Sequence, residues 1–144
     1  MALPVPEPGL VIRYSYLWHS EAQRGQEEGL KDRPCAVVLA SAQKSSGETR
    51  VMVAAITHSQ PSKEARAIEV PLKVGQHLGF DAARSWIITS EVNVFTWPGP
   101  DLRAQGPGKF AFGHLPRSLA LKLRDTIIEQ GRERSRTVER DEQE

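Results

Sequence analysis

A chain of 144 residues fits one domain with a modest core. Its 39% hydrophobic, 6% aromatic and 26% charged residues speak against a fibrous, collagen-like or disordered chain. The formal net charge of +1 gives no global field for capturing nucleic acid, and without the charged tail Arg132–Glu144, with its four Arg and five acidic residues, the balance is still only +2. Any phosphate site must therefore be local. The lone Cys35, inside an apolar run, allows no intrachain disulfide and reads as a buried, inert thiol in a reducing compartment. The start carries no basic-then-apolar leader, and no apolar run approaches the roughly 20 residues needed to cross a bilayer. A cytoplasmic protein without membrane contact is expected.

In chain order, Leu10, Ile12, Tyr14, Tyr16 and Trp18 alternate with Arg13 and Ser15, which predicts a half-buried first strand over Leu10–Trp18. Glu21–Asp32 holds two glycines and dense charge without periodicity, so a mobile surface loop is expected between the two strands of a hairpin. Cys35–Ala40 and Val51–Ile56 are short apolar runs rich in Val and Ile, read as central strands. Ala67–Val70 alternates as an edge strand would, and Pro71 should end it. Trp86–Thr89 and Val92–Trp97 add further strands before Pro98-Gly99-Pro100.

From Pro116, Leu119, Leu123 and Ile127 recur every four residues beside Ala120 and Ile128, which predicts one amphipathic helix with Gly131 as its stop. The fold class is thus mainly β with a C-terminal α-helix, a small, curled, partly closed antiparallel sheet. Residues 1–131 form the domain. Residues 132–144 lack the apolar content to dock and are expected to be frayed or disordered.

The order of these parts resembles the MazF/PemK toxin family. The resemblance rests on Arg33-Pro34 opening the strand Ala36-Val37-Val38-Leu39, on Ile56-Thr57 ending the next, and on Val70-Pro71-Leu72 after an edge strand. Leu78-Gly79-Phe80, a late strand leading to Glu91, and Gly113-His114-Leu115 before the helix complete it. The match covers roughly Pro8 to Gln130. The loop from Trp18 to Asp32 is longer than usual, the Gly- and Pro-rich insert Gly99–Phe112 has no counterpart, and Thr89 and Ser90 stand where many members carry a base. The resemblance implies a small SH3-like barrel of the CcdB/MazF/Kid type. It also implies a homodimeric, metal-independent endoribonuclease that cuts single-stranded RNA to a 2′,3′-cyclic phosphate and a 5′-hydroxyl, held inactive by a cognate antitoxin. The rival is a CcdB-type growth inhibitor that binds gyrase without chemistry, and a third reading is a plain interaction module.

Such a reaction uses the substrate 2′-hydroxyl as nucleophile, so the protein must move two protons and neutralise the phosphorane. Arg33 suits the charge role, because a planar guanidinium donates bidentately to phosphate and Pro34 stiffens the chain beside it. Residue type alone allows instead a surface ion pair with Asp32 or Glu28. Thr57 can orient a phosphate oxygen or simply bond its own backbone. His19, at the mouth of the loop, and Glu91, matching the family's late-strand acid, are the candidates for proton transfer. His58, Arg24, Lys31 and Trp18 are the candidate RNA contacts, with Trp18 either stacking a base or sitting in the core. Neither metal-ligand spacing nor a nucleotide-type phosphate loop is present, so no cofactor is expected.

Overall fold

The computed structural model describes residues 3–23, 25, 32–43, 45–62, 66–81, 83–104, 109–133 and 137–140. Nine strands form one sheet that runs β4-β5-β3-β2-β1-β7 along its main path. These are β1 (Leu10–Tyr14), β2 (Arg33–Ala42), β3 (Thr49–Thr57), β4 (Ala67–Glu69), β5 (Trp86–Ile88), β6 (Val92–Thr96), β7 (Leu102–Arg103), β8 (Ala111–His114) and β9 (Thr137–Glu139). Three helices accompany them: α1 (His19–Gln23), α2 (Leu72–His77) and α3 (Arg117–Glu133). All described pairings are antiparallel except β6 with β9. The class expected from sequence, mainly β with a C-terminal helix, is observed. The sheet itself is open, with its path ending at β4 and β7 rather than closing on itself.

The middle strands are apolar on nearly every residue because both faces are covered. Val11, Ala36, Val38, Ala54 and Ile56 face one core, where α3 buries Leu119, Ala120, Leu123 and Ile127. Leu10, Ile12, Tyr14, Cys35, Val37 and Phe95 face the other, with Tyr14 stacked on Phe95 at 4.7 Å between centroids. A register shift between Val37 and Leu39 bends β2 against β3, and a bulge of this kind adds the twist a small sheet needs to wrap a core. No helix among the described residues is long and apolar enough to cross a membrane.

Four expectations need correction. The first strand ends at Tyr14, because the buried Asn93 side chain pairs with the Leu17 backbone, accepting from its N–H at 2.9 Å and donating to its carbonyl at 2.8 Å. Tyr16 still lies in the same core as Tyr14, with Trp18 packed against it. The segment expected to be loop begins with α1. Its Glu21 carboxylate accepts the Trp18 N–H at 3.0 Å, half of a capping box that holds a one-turn helix. Gly131 does not stop α3, which runs on to Glu133. Finally, the supposed tail docks: β9 pairs in parallel with β6, Val138 is buried, and Arg140 enters the protein. Arg140 Nη2 lies 2.9 Å from Asp101 Oδ2, and its Nη1 donates to Asn93 Oδ1 at 2.8 Å and to the Ser15 carbonyl at 3.0 Å. One apolar residue and one paired cation suffice because β6 offers an unfilled edge.

Candidate functional site

Arg33 opens β2 and Thr57 ends β3. The ladder between these strands pairs Cys35 with Ala55, and continuing its register by two residues sets Arg33 opposite Thr57. Tyr14 flanks Arg33 on the β1 side, and Trp86 flanks Thr57 on the β5 side. Both residues therefore sit where the β2–β3 ladder ends, a place set by the antiparallel register of the paired residues before it.

They line a cavity of about 620 Å³. His58 and Ser59 continue its wall after Thr57, while Arg13 and Asp32 border it from β1 and the start of β2. Phe80 and Asp81, just past α2, and Phe112 of β8 close the far side. The volume and the mix of an apolar wall with a few polar groups suit a small ligand or one unit of a chain.

Arg33 is half-buried and its guanidinium lies over the Trp18 ring, 5.1 Å from the centroid. Among the described residues it forms no ion pair, and its buried Nε has no hydrogen-bond partner. A buried N–H without an acceptor carries a desolvation cost. Asp32 does not quench it. That carboxylate sits between two other arginines, 3.7 Å from Arg13 Nε and 3.6 Å from Arg103 Nε.

Thr57 is half-buried, and its Oγ1 accepts the Ser59 N–H at 3.1 Å, which is the local backbone role considered for it. The hydroxyl proton stays available for donation, because an accepting hydroxyl oxygen keeps its own O–H. His58 is exposed at the rim.

The remaining sequence candidates divide. His19 and Glu91 do not line this cavity. Glu91 Oε2 accepts the His19 backbone N–H at 2.7 Å and the Tyr16 hydroxyl at 3.4 Å, so it caps α1 and borders a separate cavity of about 170 Å³. A carboxylate at a helix N-terminus is in its electrostatically favoured place. Trp18 gives one face to Arg33 and meets Tyr16 edge-on at 4.9 Å, so it seats the arginine rather than offering an open stacking surface. Arg24 and Lys31 lie outside the described residues.

Sequence reasoning missed Arg13, Phe80, Asp81 and Phe112. Arg13 left a signal, the polar side of an alternating first strand, but the other three sit in stretches whose only pattern was turn chemistry. Burial pushes the Cys35 thiol up, as it does the Tyr14 and Tyr16 hydroxyls, so none of these is a nucleophile near neutral pH. Among the described residues, no three His, Cys, Asp or Glu side chains gather as a metal-holding group. Comparison with family models, with curated proteins and with solved structures finds no match to this chain.

Proposed function

We propose that this protein is the toxin of a type II toxin–antitoxin pair, a MazF/PemK-type endoribonuclease that cuts single-stranded RNA without a metal. Its curled sheet is read as an SH3-like barrel of the CcdB/MazF/Kid type with an open seam. The observation that carries the reading is that Arg33, Thr57 and His58 line one cavity. These are the groups a transesterification at phosphorus needs.

In the proposed reaction the substrate 2′-oxygen attacks the adjacent phosphorus while its proton passes to a base. The bond from phosphorus to the 5′-oxygen then breaks as that oxygen takes a proton. The products are a 2′,3′-cyclic phosphate and a 5′-hydroxyl. Arg33 neutralises the phosphorane bidentately and Thr57 donates to a second oxygen, both preorganised on strand ends. His58, exposed at the rim beside Thr57, serves as the proton carrier in place of His19. Arg13 adds positive charge on the β1 side, where the loop residues Arg24 and Lys31 were expected to supply it. A homodimer and an acidic antitoxin segment that competes for the same arginines complete the proposal. A gyrase binder would not need such a cavity.

The test is a substrate whose cut nucleotide lacks the 2′-hydroxyl. Cleavage should vanish there and persist at every other site, and continued cutting at the deoxy position would overturn the mechanism.

A further inference from the structure

The far wall of the cavity is not needed for the chemistry at phosphorus, and it is constructed with care. Phe80 and Phe112 meet edge to face at 5.7 Å, and both are only partly buried. Each is placed by a local device. The Phe80 N–H donates to the Gly75 carbonyl at 2.9 Å, and its ring lies close enough that a Cβ at Gly75 would stand 3.7 Å from Cδ2, so α2 fixes Phe80 from below. Phe112 is the extra residue of a bulge: β8 pairs Gly113 with Val11 and Ala111 with Ile12, leaving Phe112 between them without a ladder partner. Bulges re-aim side chains, and this one is turned into the cavity.

Asp81 follows Phe80 directly, is exposed, and lines the same cavity. It makes no hydrogen bond or ion pair among the described residues, unlike Asp32, which two arginines hold. The cavity is therefore lined by an aromatic pair, by a carboxylate without a partner among the described residues, and by the cationic Arg33.

From this we infer that Phe80, Phe112 and Asp81 form a base subsite selective for guanine, next to the phosphate held by Arg33. The inference rests on the RNA reading of the Arg33 site. An aromatic wall accepts any base by stacking. The carboxylate does the choosing, because it only accepts hydrogen bonds. Guanine alone presents two adjacent donors on its Watson–Crick edge, N1–H and the N2 amino group, which match both carboxylate oxygens. Adenine and cytosine set one amino group beside an acceptor nitrogen, and uracil sets one N–H between two carbonyls, so each puts a lone pair against the carboxylate.

Two measurements test the subsite. In oligoribonucleotides that differ only at the base beside the cut, replacing guanine by inosine, which lacks the amino group, should slow cleavage by the wild-type protein about tenfold. Asp81→Asn should cut both at similar, reduced rates. A wild type that treats the two alike, or an Asp81→Asn variant that keeps the preference, overturns the subsite. Guanosine 5′-monophosphate and inosine 5′-monophosphate titrated onto the intact protein read the same preference without any cleavage. Tighter guanosine binding that is lost in Asp81→Asn upholds the subsite even if no RNA is cut, a result that would remove only the nuclease reading. Equal binding overturns the subsite.

Discussion

Trp18 supports Arg33: the guanidinium carbon stands 5.1 Å above the indole centroid, on an aromatic that is itself braced edge-on by the buried Tyr16. The ring restricts the conformations open to a long side chain that lines the cavity. A cation over a partly desolvated ring contributes roughly 1 kcal/mol. Trp18→Leu should therefore slow RNA cleavage about fivefold in kcat with KM little changed, and Trp18→Phe should recover part of the loss. If KM rises and kcat holds, Trp18 is binding RNA itself.

Glu91 carries a different expectation. Because it accepts the His19 N–H and the Tyr16 hydroxyl, Glu91→Ala should remove the cap of α1 and cost about 1 kcal/mol of stability. Cleavage should stay within about threefold of wild type. Urea unfolding and single-turnover cleavage measured on one preparation check both halves, and loss of cleavage with stability unchanged would return Glu91 to the chemistry.

Arg140 is almost fully buried against Asp101, with side-chain exposures of 3% and 12%. Taking one partner from such a pair strips the other of a charge contact inside the protein. Arg140→Ala should cost about 3 kcal/mol, read as a lower urea midpoint. A change under about 1 kcal/mol would show that β9 contributes little to the folded state.

Stability should fall in alkali. Tyr14, Tyr16 and Cys35 have their pKa values raised by burial above ordinary values of 10.0, 10.0 and 9.0. A raised folded pKa means stability that is complete below the unfolded value and declines as pH climbs toward the folded one. Each group should contribute a loss of about 1.4 kcal/mol per pH unit once the unfolded chain ionises. Urea midpoints at pH 8, 10 and 11 should drop in order, and equal midpoints would mean that these hydroxyls reach solvent without unfolding.

Much of this architecture was legible because it depends on local pattern. The runs around Cys35 and Val51 announce strands covered on both sides, and the four-residue spacing of Leu119, Leu123 and Ile127 announces the helical face that covers one of them. Arg33 and Thr57 could be singled out through the resemblance to the MazF/PemK pattern, since residue type alone left an ion pair open for one and a backbone contact for the other. What escaped depends on distant partners. Glu91 looks like a late-strand acid until Tyr16 and His19 are folded onto it. Arg140 looks like part of a solvated charged tail until Asp101 and Asn93 surround it. The helix α1 spans five residues, too few for any period to register. Phe112 stands after a Gly- and Pro-rich stretch, and only pairing with β1 shows that it is the bulged residue.

The central claim is that Arg33, on the end of β2, drives metal-independent cleavage of single-stranded RNA. Its most direct test compares wild type with Arg33→Ala on one RNA in excess EDTA, alongside their thermal midpoints. The wild type should cut under chelation, and the variant should lose at least about a hundredfold in rate, the scale of removing a transition-state charge donor. Its stability should fall by no more than about 1 kcal/mol, the scale of the lost contact with the Trp18 ring, since the side chain forms no ion pair among the described residues. Cleavage abolished by EDTA, or an Arg33→Ala variant as active as the wild type, would contradict the account.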